Sequence, residues 1–350
     1  MDELVSIIIP AYNVEHVIGD TIRSALNQTW AKKEIIIVDD GSKDNTFKVA
    51  KTFESNLVKV ISQANRGASA ARNAGLRFAQ GTYIQWLDGD DLLERDKVAC
   101  QLESADNGHC SKTLLTSSFR TFYFSCQRSS LCRSVLWQDL SPVDWLINKF
   151  NCNVWMNPAT WLVSRKITEL AGPWDERLVR DNDGEYICRV MTVSEAVRFV
   201  DKAVSYYRVG NLGSLSTSTS NSACESLLLS LDLCTQYLLS LEDSVRSRNA
   251  CLNVVKSWVP FLYPDKKEAL LKLKVLASQF GGDLEAPQVA WKYWLLHKCF
   301  GWQVTKRVMT DCRRVKLTTV RNLDWFLYKT IYRPKSEIGK SNSGVMEVLH

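Results

Sequence analysis

Apolar residues recur in two rhythms along the first hundred positions. Ser6–Pro10 (SIIIP), Glu34–Asp40 (EIIIVDD), VKVIS around Val60 and YIQWLD around Trp86 are short runs, apolar on both faces, and each predicts a buried strand. Between them Val17, Ile18, Ile22, Ala25 and Leu26 return at helical spacing, and ASAARNAGLRFAQG after Gly67 predicts a helix ending at Gly81. Gly41 turns the chain out of the second strand, and Asp44 is placed to cap the helix that follows. Strands of this kind alternating with helices predict an α/β fold with a mostly parallel sheet covered on both faces. Ligands of such sheets bind beyond the carboxyl ends of the strands. Pro10–Tyr12, Asp39–Ser42 and Asp88–Asp91 all fall at those ends, so the three polar clusters are expected to share one rim.

Past residue 110 the pattern loosens. TLLTSSFRTFYF and SVLWQ predict strands, PVDWLINKF a short helix, and AVRFVDKAVSYYR two further short strands. Between them GPWDERLVRDNDGEYICRVM predicts a polar loop entering a helix near Gly184. From Ser220 onward only helical patterns occur, with breaks near Pro260, Pro264, Gly281–Gly282 and Gly301.

Composition narrows the class. A chain of 350 residues with 45% hydrophobic content can bury a full core, which argues against disorder. No apolar run reaches the roughly 18 residues of a membrane span. The opening MDELVSIIIPAY starts acidic and runs into a polar motif, unlike a signal peptide. Eleven cysteines without a CxxC pair suggest reduced thiols in a cytoplasm, and they offer no zinc site. The histidines at 16, 109, 297 and 350 are dispersed and suggest no pairing.

The chemistry concentrates at two acidic clusters. In YIQWLDGDDLLE, Asp88 and Asp90 lie two residues apart and project to the same side if strand geometry persists. Two hard oxygens on one face, with Gly89 leaving room for a close approach, suit Mg²⁺ or Mn²⁺ holding a diphosphate. An acidic turn after a strand is the plainer alternative. The second cluster is Asp181, Asn182, Asp183 and Glu185, where carboxylates would act as a base or merely cap the next helix. Arg189 sits four residues beyond Glu185, a spacing that favours an ion pair with it.

VSIIIPAYN, IIIVDDGSKDNT, NRGASAARNAGL, YIQWLDGDD and DNDGEYICRV occur in the order seen in glycosyltransferase family 2, and over about residues 4–210 the chain resembles that family. The resemblance implies a GT-A nucleotide-diphospho-sugar transferase fold and inverting, metal-dependent transfer from a nucleotide-diphosphate sugar, expected to be UDP-linked. The acceptor would be a glycan or lipid-linked glycan. It implies that Pro10, Ala11 and Tyr12 border the base and that Asp40 accepts from the uracil ring. Arg72 would lie beside base and pyrophosphate, with Asp88 at the ribose or metal shell and Asp90 as the direct ligand of Mn²⁺ or Mg²⁺. Asp183 aligns with the base, and Asp181 competes for that role because Asn182 replaces an acidic neighbour. Asp91 is expected nearer the acceptor or behind the metal. Trp155, Asn157, Trp161 and Trp174 flank the acceptor side, where sugar stacking and plain burial are both open readings. A nucleotide-sugar binding protein that has lost catalysis is the alternative of another class. A nucleotidyltransferase would carry a Gly-rich, basic signature after the first strand, which VSIIIPAYN lacks.

The expected organisation is a catalytic unit over 1–215, split into a nucleotide half (1–110) and an acceptor half (111–215). A helical extension follows over 216–335, then a disordered tail over 336–350. Net charge is +6, yet Ala290–Lys335 holds eleven Lys or Arg against Asp311 and Asp324, a local +9. Val304, Val308, Cys312 and Val315 project to one helical face, with Lys306, Arg307, Arg313, Arg314 and Lys316 over the other. With the tryptophans before it, this segment suits the anionic inner face of a membrane. An apolar face docked on the catalytic unit is the competing expectation. No stacking module or recognition motif points to nucleic acid.

Overall fold

The computed structural model describes residues 3–105, 111–131, 133–210 and 220–332. It begins β1 (Val5–Ala11), α1 (Ile18–Leu26), β2 (Lys33–Asp39), α2 (Thr46–Lys51), β3 (Val58–Ser62), α3 (Ala68–Phe78) and β4 (Tyr83–Trp86). Then come β5 (Leu92–Leu93), α4 (Lys97–Ala105), β6 (Thr113–Phe122), β7 (Ser130–Leu131), α5 (Pro142–Cys152), β8 (Leu162–Ser164), α6 (Arg165–Ala171), α7 (Asn182–Val193) and β9 (Ala196–Arg208). Helices α8 (Asn221–Leu241), α9 (Val245–Ser257), α10 (Val259–Leu262), α11 (Lys267–Gln279) and α12 (Trp294–Leu327) complete the described chain.

One sheet runs in the order β3-β2-β1-β4-β8-β6-β9-β5, with β7 paired to β6. The first four strands are parallel, as the βα alternation requires, so their carboxyl ends share an edge. Beyond β4 the sheet is mixed, with β8 antiparallel to its neighbours and β6 parallel to β9. β1 is buried along its whole length. Its period of two sends Ile7 and Ile9 into the cluster that holds Ile18 and Ile22 of α1. Ile8 faces the opposite side, where Trp86 and Trp161 lie.

Three expectations are corrected. SVLWQ forms a turn, and its apolar residues serve as anchors: Leu136 is buried and Trp137 stacks on Phe199 at 5.9 Å. AVRFVDKAVSYYR is one strand rather than two. Its polar middle is absorbed where the register with β6 jumps from Ser117↔Val200 to Ser118↔Val204. Helix α3 stops at Phe78, three residues before Gly81. Gly81 is instead pressed against β1, where a Cβ would lie 2.6 Å from the Ser6 nitrogen. The expected break near Pro260 is present: α9 ends at Ser257 and α10 begins at Val259, with Pro260 in its first turn, where its missing N–H costs nothing. Gly301 does kink α12, at φ 72°.

Helices α8, α9 and α11 are not a separate body. Leu227, Leu238, Val255 and Leu273 bury in the cluster that contains Trp86, Trp161 and Tyr186. The expected boundary at 215/216 and the expected tail over 336–350 lie outside the described residues.

α3 crosses β1 closely because Gly75 carries no side chain, and a Cβ there would meet Ile8 Cγ2 at 2.5 Å and Val38 Cγ2 at 3.3 Å. Gly75→Ala is therefore expected to destabilise by about 1–3 kcal/mol through overpacking, despite better helix propensity. Urea unfolding would check this; unchanged stability would mean that the α3–β1 contact is looser than described.

Candidate active site

The loops leaving the parallel strands are tied to one another. Asn13, at φ 51°, takes the Lys43 N–H on its side-chain oxygen at 2.8 Å, and its own N–H donates to Ser42 Oγ at 3.0 Å. Pro10 and Ala11 are buried in β1, whereas Tyr12 stands exposed on the rim. Asp39 braces its turn, accepting from the Ser42 N–H and Ser62 Oγ at 3.3 Å. Asp40 lies at the predicted edge, but its carboxylate is engaged by the chain itself. It accepts from Gln63 Nε2 at 2.8 Å, the Arg66 N–H at 2.9 Å and the Gly67 N–H at 2.7 Å. Asp40 thus shapes the loop into α3, where Gly67 adopts φ 92°.

Arg72 is no surface side chain. It is 4% exposed, its guanidinium lies 4.2 Å from the ring centroid of Trp174, and one terminal nitrogen donates to Asp88 Oδ1 at 2.6 Å. Trp174 is itself stacked on Tyr186 of α7, with centroids 4.0 Å apart and planes 6° from parallel. The neighbouring Asn73 fixes the Trp174 backbone from both sides: its amide donates to the Trp174 carbonyl at 2.9 Å and its oxygen accepts the Trp174 N–H at 2.8 Å. Two N–H groups of Arg72, at Nε and Nη1, are buried with no protein acceptor. Such groups carry an unmet demand for a negatively charged or oxygen-rich partner.

Within the DGDD turn the four residues diverge. Asp88 faces Arg72. Gly89 is buried, and the room it leaves is taken by β1: a Cβ would lie 2.8 Å from the Pro10 carbonyl oxygen, while Thr21 Oγ1 bonds the Gly89 carbonyl at 3.0 Å. Asp91 is fully buried and turned back toward β9, where the Arg208 N–H donates to it at 2.8 Å. Burial, then the charges of Asp90 and Asp88, hold its carboxyl well above the usual range. Arg208 also clasps the turn, donating from Nε to the Asp90 carbonyl and from Nη1 to the Tyr123 carbonyl, each at 2.9 Å. Sequence reasoning missed Arg208; its one signal was a basic residue ending an apolar strand.

The second cluster divides as well. Asp181 is the N-cap position of α7, in left-handed backbone at φ 56°, and its carboxylate accepts from Ser230 Oγ of α8 at 2.6 Å. Burial pushes it up to about 6, with Lys149 of α5 opposing that rise and Asp183 adding to it. Asp183 sits in the first turn of α7, facing Arg72 and Asp88. Burial raises its carboxyl, the Arg72 charge draws it back, and Asp88 raises it again. Glu185 turns away from the rim into the expected pair with Arg189 at 2.7 Å and accepts from Tyr237 at 3.0 Å. Lys149, also missed, is half-buried beside these acids. Burial opposes its charge, and the field of Cys188, Asp181, Cys234 and Asp183 outweighs that. No pattern within PVDWLINKF set this lysine apart.

Of the aromatic residues expected near an acceptor, Trp161 and Trp174 are buried and serve packing, as does the backbone around the buried Asn157. Trp155 differs, being 45% exposed and edge-on to Tyr207 at 4.9 Å. The Tyr207 hydroxyl is raised by burial and then by Asp91, Asp90, Asp88 and Asp183, which places it among those acids.

Among the described residues no three His, Cys, Asp or Glu side chains close around a common point. The two carboxylates expected to hold a metal are Asp88, which is paired with Arg72, and Asp90 of the same turn. Two hard carboxylate oxygens suit Mg²⁺ or Mn²⁺ only when a ligand's oxygens and water complete the shell.

Asp181 supplies a stability test. Its folded pKa of about 6 exceeds the ordinary value of 3.8, so the folded chain binds more protons between these values. Stability from this group is complete below pH 3.8 and is lost as pH rises through 6. Asp181→Asn should therefore gain on the parent chain by on the order of 1–2 kcal/mol between pH 4 and 7. Melting temperatures across that range would show it, and a pH-independent difference would contradict the buried-carboxylate assignment.

Comparisons with known proteins bear on the family and the fold. Residues 6–139 match the model of glycosyl transferase family 2. A stretch of 102 residues is 43% identical to the Escherichia coli UDP-Glc:alpha-D-GlcNAc-diphosphoundecaprenol beta-1,3-glucosyltransferase WfgD, covering 29% of this chain and 40% of that protein. A stretch of 179 residues is 28% identical to the glycosyltransferase GlyG of Streptococcus pneumoniae, covering 48% of this chain and 58% of GlyG. The chain thus spans less than two thirds of either relative. In structure it is similar to residues 1–349 of Staphylococcus aureus TarS, crystallised with UDP, at a TM-score of 0.60 and 16% identity over 78% of this chain and 80% of that one. Motif order and the match over residues 6–139 make this chain similar to glycosyltransferase family 2, and its architecture is that of a GT-A fold with a helical extension.

Proposed function

We propose that the chain transfers a sugar from a UDP-linked donor to a hydroxyl of a glycan or lipid-linked glycan, with inversion at the anomeric carbon. The observation that carries this reading is the gathering of Arg72, Asp88 and Asp183 at one edge, with two buried N–H groups of Arg72 lacking a protein acceptor. The name of WfgD specifies a UDP-glucose donor and a diphosphate-linked lipid acceptor, and TarS was crystallised with UDP; both support the donor class.

In this reading Pro10, Ala11 and Tyr12 border the base, and Asp40 acts together with the loop it organises. Arg72 sets its fixed charge against the diphosphate. Asp88 and Asp90 hold Mn²⁺ or Mg²⁺, which would stabilise the charge developing on the departing diphosphate. Asp183 takes the acceptor hydroxyl proton as that oxygen bonds the anomeric carbon and the bond to the diphosphate breaks. Its carboxyl, raised by burial, is a stronger base than an ordinary aspartate. Trp155 offers an exposed aromatic face to an acceptor sugar beside Tyr207.

The test is UDP release from a panel of UDP-sugars by the purified chain, with Mn²⁺ or Mg²⁺ and with EDTA. One donor should be hydrolysed slowly, with loss on chelation and in Asp90→Ala. Asp183→Asn should cut transfer to acceptor by about 10²–10⁴-fold while UDP still binds. The acid limb of the pH–rate profile should lie above the usual aspartate range and vanish in that variant. Full turnover by Asp183→Asn would remove it as the base; UDP binding without turnover in any donor or acceptor mixture would favour a catalytically silent nucleotide-sugar binder.

A further inference from the structure

Beyond residue 310 the apolar face of α12 is not docked on the catalytic unit. Every residue from 311 to 320 is exposed, and Val315, Leu323 and Phe326 are each more than half exposed. These three, with Val304, fall on one side at 100° per residue, while Lys306, Arg307, Arg314 and Arg321 fall on the other. A helix of a soluble protein ordinarily turns its apolar stripe inward. Here the helix is held from its polar side instead. Near its start Lys306 donates to the carbonyls of Phe261 at 3.0 Å and Tyr263 at 2.5 Å. Near its end Arg321 donates to the Gly210 carbonyl at 2.9 Å, and Asp324 accepts the Phe124 N–H at 2.9 Å and pairs with Arg128 at 3.4 Å.

The second attachment lies next to the acidic turn. Phe124 follows Tyr123, whose carbonyl takes Arg208, and Arg208 holds the backbone of Asp90 and the carboxylate of Asp91. α12 is thus a strap from the helical extension to the rim of the candidate active site.

We propose that α12 lies in the interface of an anionic bilayer and, through Arg321 and Asp324, braces the rim of the sugar-transfer site at that surface. The assignment of the site itself rests on the glycosyl-transfer reading; the membrane contact does not. Charge selects the occupant. The helix carries seven Lys or Arg against Asp311 and Asp324, and Asp324 is already engaged by backbone amides and Arg128. Trp291 and Trp294 at one end and Trp325 at the other are exposed, as suits side chains that settle at the level of lipid headgroups. No helix among the described residues is long and apolar enough to cross a membrane, so the helix would lie in the plane. A lipid-linked acceptor would then reach the site without leaving the surface.

Co-sedimentation of the full chain with phosphatidylcholine vesicles, with and without phosphatidylglycerol, tests the contact. Binding should require phosphatidylglycerol and weaken with salt, and Val315→Asp/Leu323→Asp should weaken it by about tenfold or more with an unchanged melting temperature. Hydrogen exchange tests the bracing. Adding such vesicles should slow amide exchange in residues 88–91 and 120–128 of the parent chain, but not in Arg321→Ala/Asp324→Ala, which should still bind vesicles. Three results would overturn the proposal: no binding at low salt; a dimer in solution dissolved by the Asp substitutions, meaning that a second copy covers the face; or equal exchange with and without vesicles. Vesicle binding and slowed exchange in a chain that releases no UDP from any donor would uphold this proposal and count against the transfer reading.

Discussion

The site depends on keeping one charged guanidinium out of water. A buried arginine is costly unless it is paired and packed. Arg72 meets both conditions, with Asp88 at 2.6 Å on one side and the face of Trp174 at 4.2 Å on the other. Each partner comes from a different part of the chain: Arg72 from α3, Asp88 from the end of β4, Trp174 from the loop before α7. Satisfying the arginine therefore fixes the relation between the parallel strands at the start of the chain and the segment that leads into α7. The Trp174–Tyr186 stack extends the same constraint into α7, whose first turn carries Asp183. Asn73 adds specificity at little cost, because its amide matches both hydrogen-bonding groups of the Trp174 backbone.

Around that pair the acids are sorted by what each faces. Asp91 is buried, its carboxyl raised, and serves β9 through the Arg208 N–H; Glu185 is spent on Arg189 and Tyr237; Asp181 is held by Ser230 of α8. Asp88 and Asp183 share the surroundings of Arg72 at the rim. Packing, not spacing alone, separates structural carboxylates from those left for chemistry.

Much of this was legible in sequence wherever local periodicity decides structure. The four parallel strands follow from runs apolar on both faces, and their shared edge follows from the βα alternation. The Glu185–Arg189 pair follows from helical spacing. What the sequence concealed depends on contacts between distant segments. SVLWQ has a strand's composition, yet Trp137 finds its partner in Phe199, sixty-two residues on, and the segment turns. Gly89 suggested access for a ligand, but the close approach is that of β1. Arg208 and Lys149 reach the site from a strand and a helix with no motif. For α12 the amphipathic pattern was visible, and only the fold shows that its apolar face stays uncovered beyond residue 310.

The most direct test of the account is calorimetric titration of UDP into the parent chain and into Arg72→Lys, with Mn²⁺ present. Lysine keeps the charge but has neither the planar face for Trp174 nor the fork that holds Asp88 while presenting N–H groups to a ligand. The account predicts affinity at least about tenfold weaker in the variant, equivalent to about 1.4 kcal/mol. Equal affinity in the two proteins would show that the Arg72–Asp88–Trp174 arrangement does not organise the donor site.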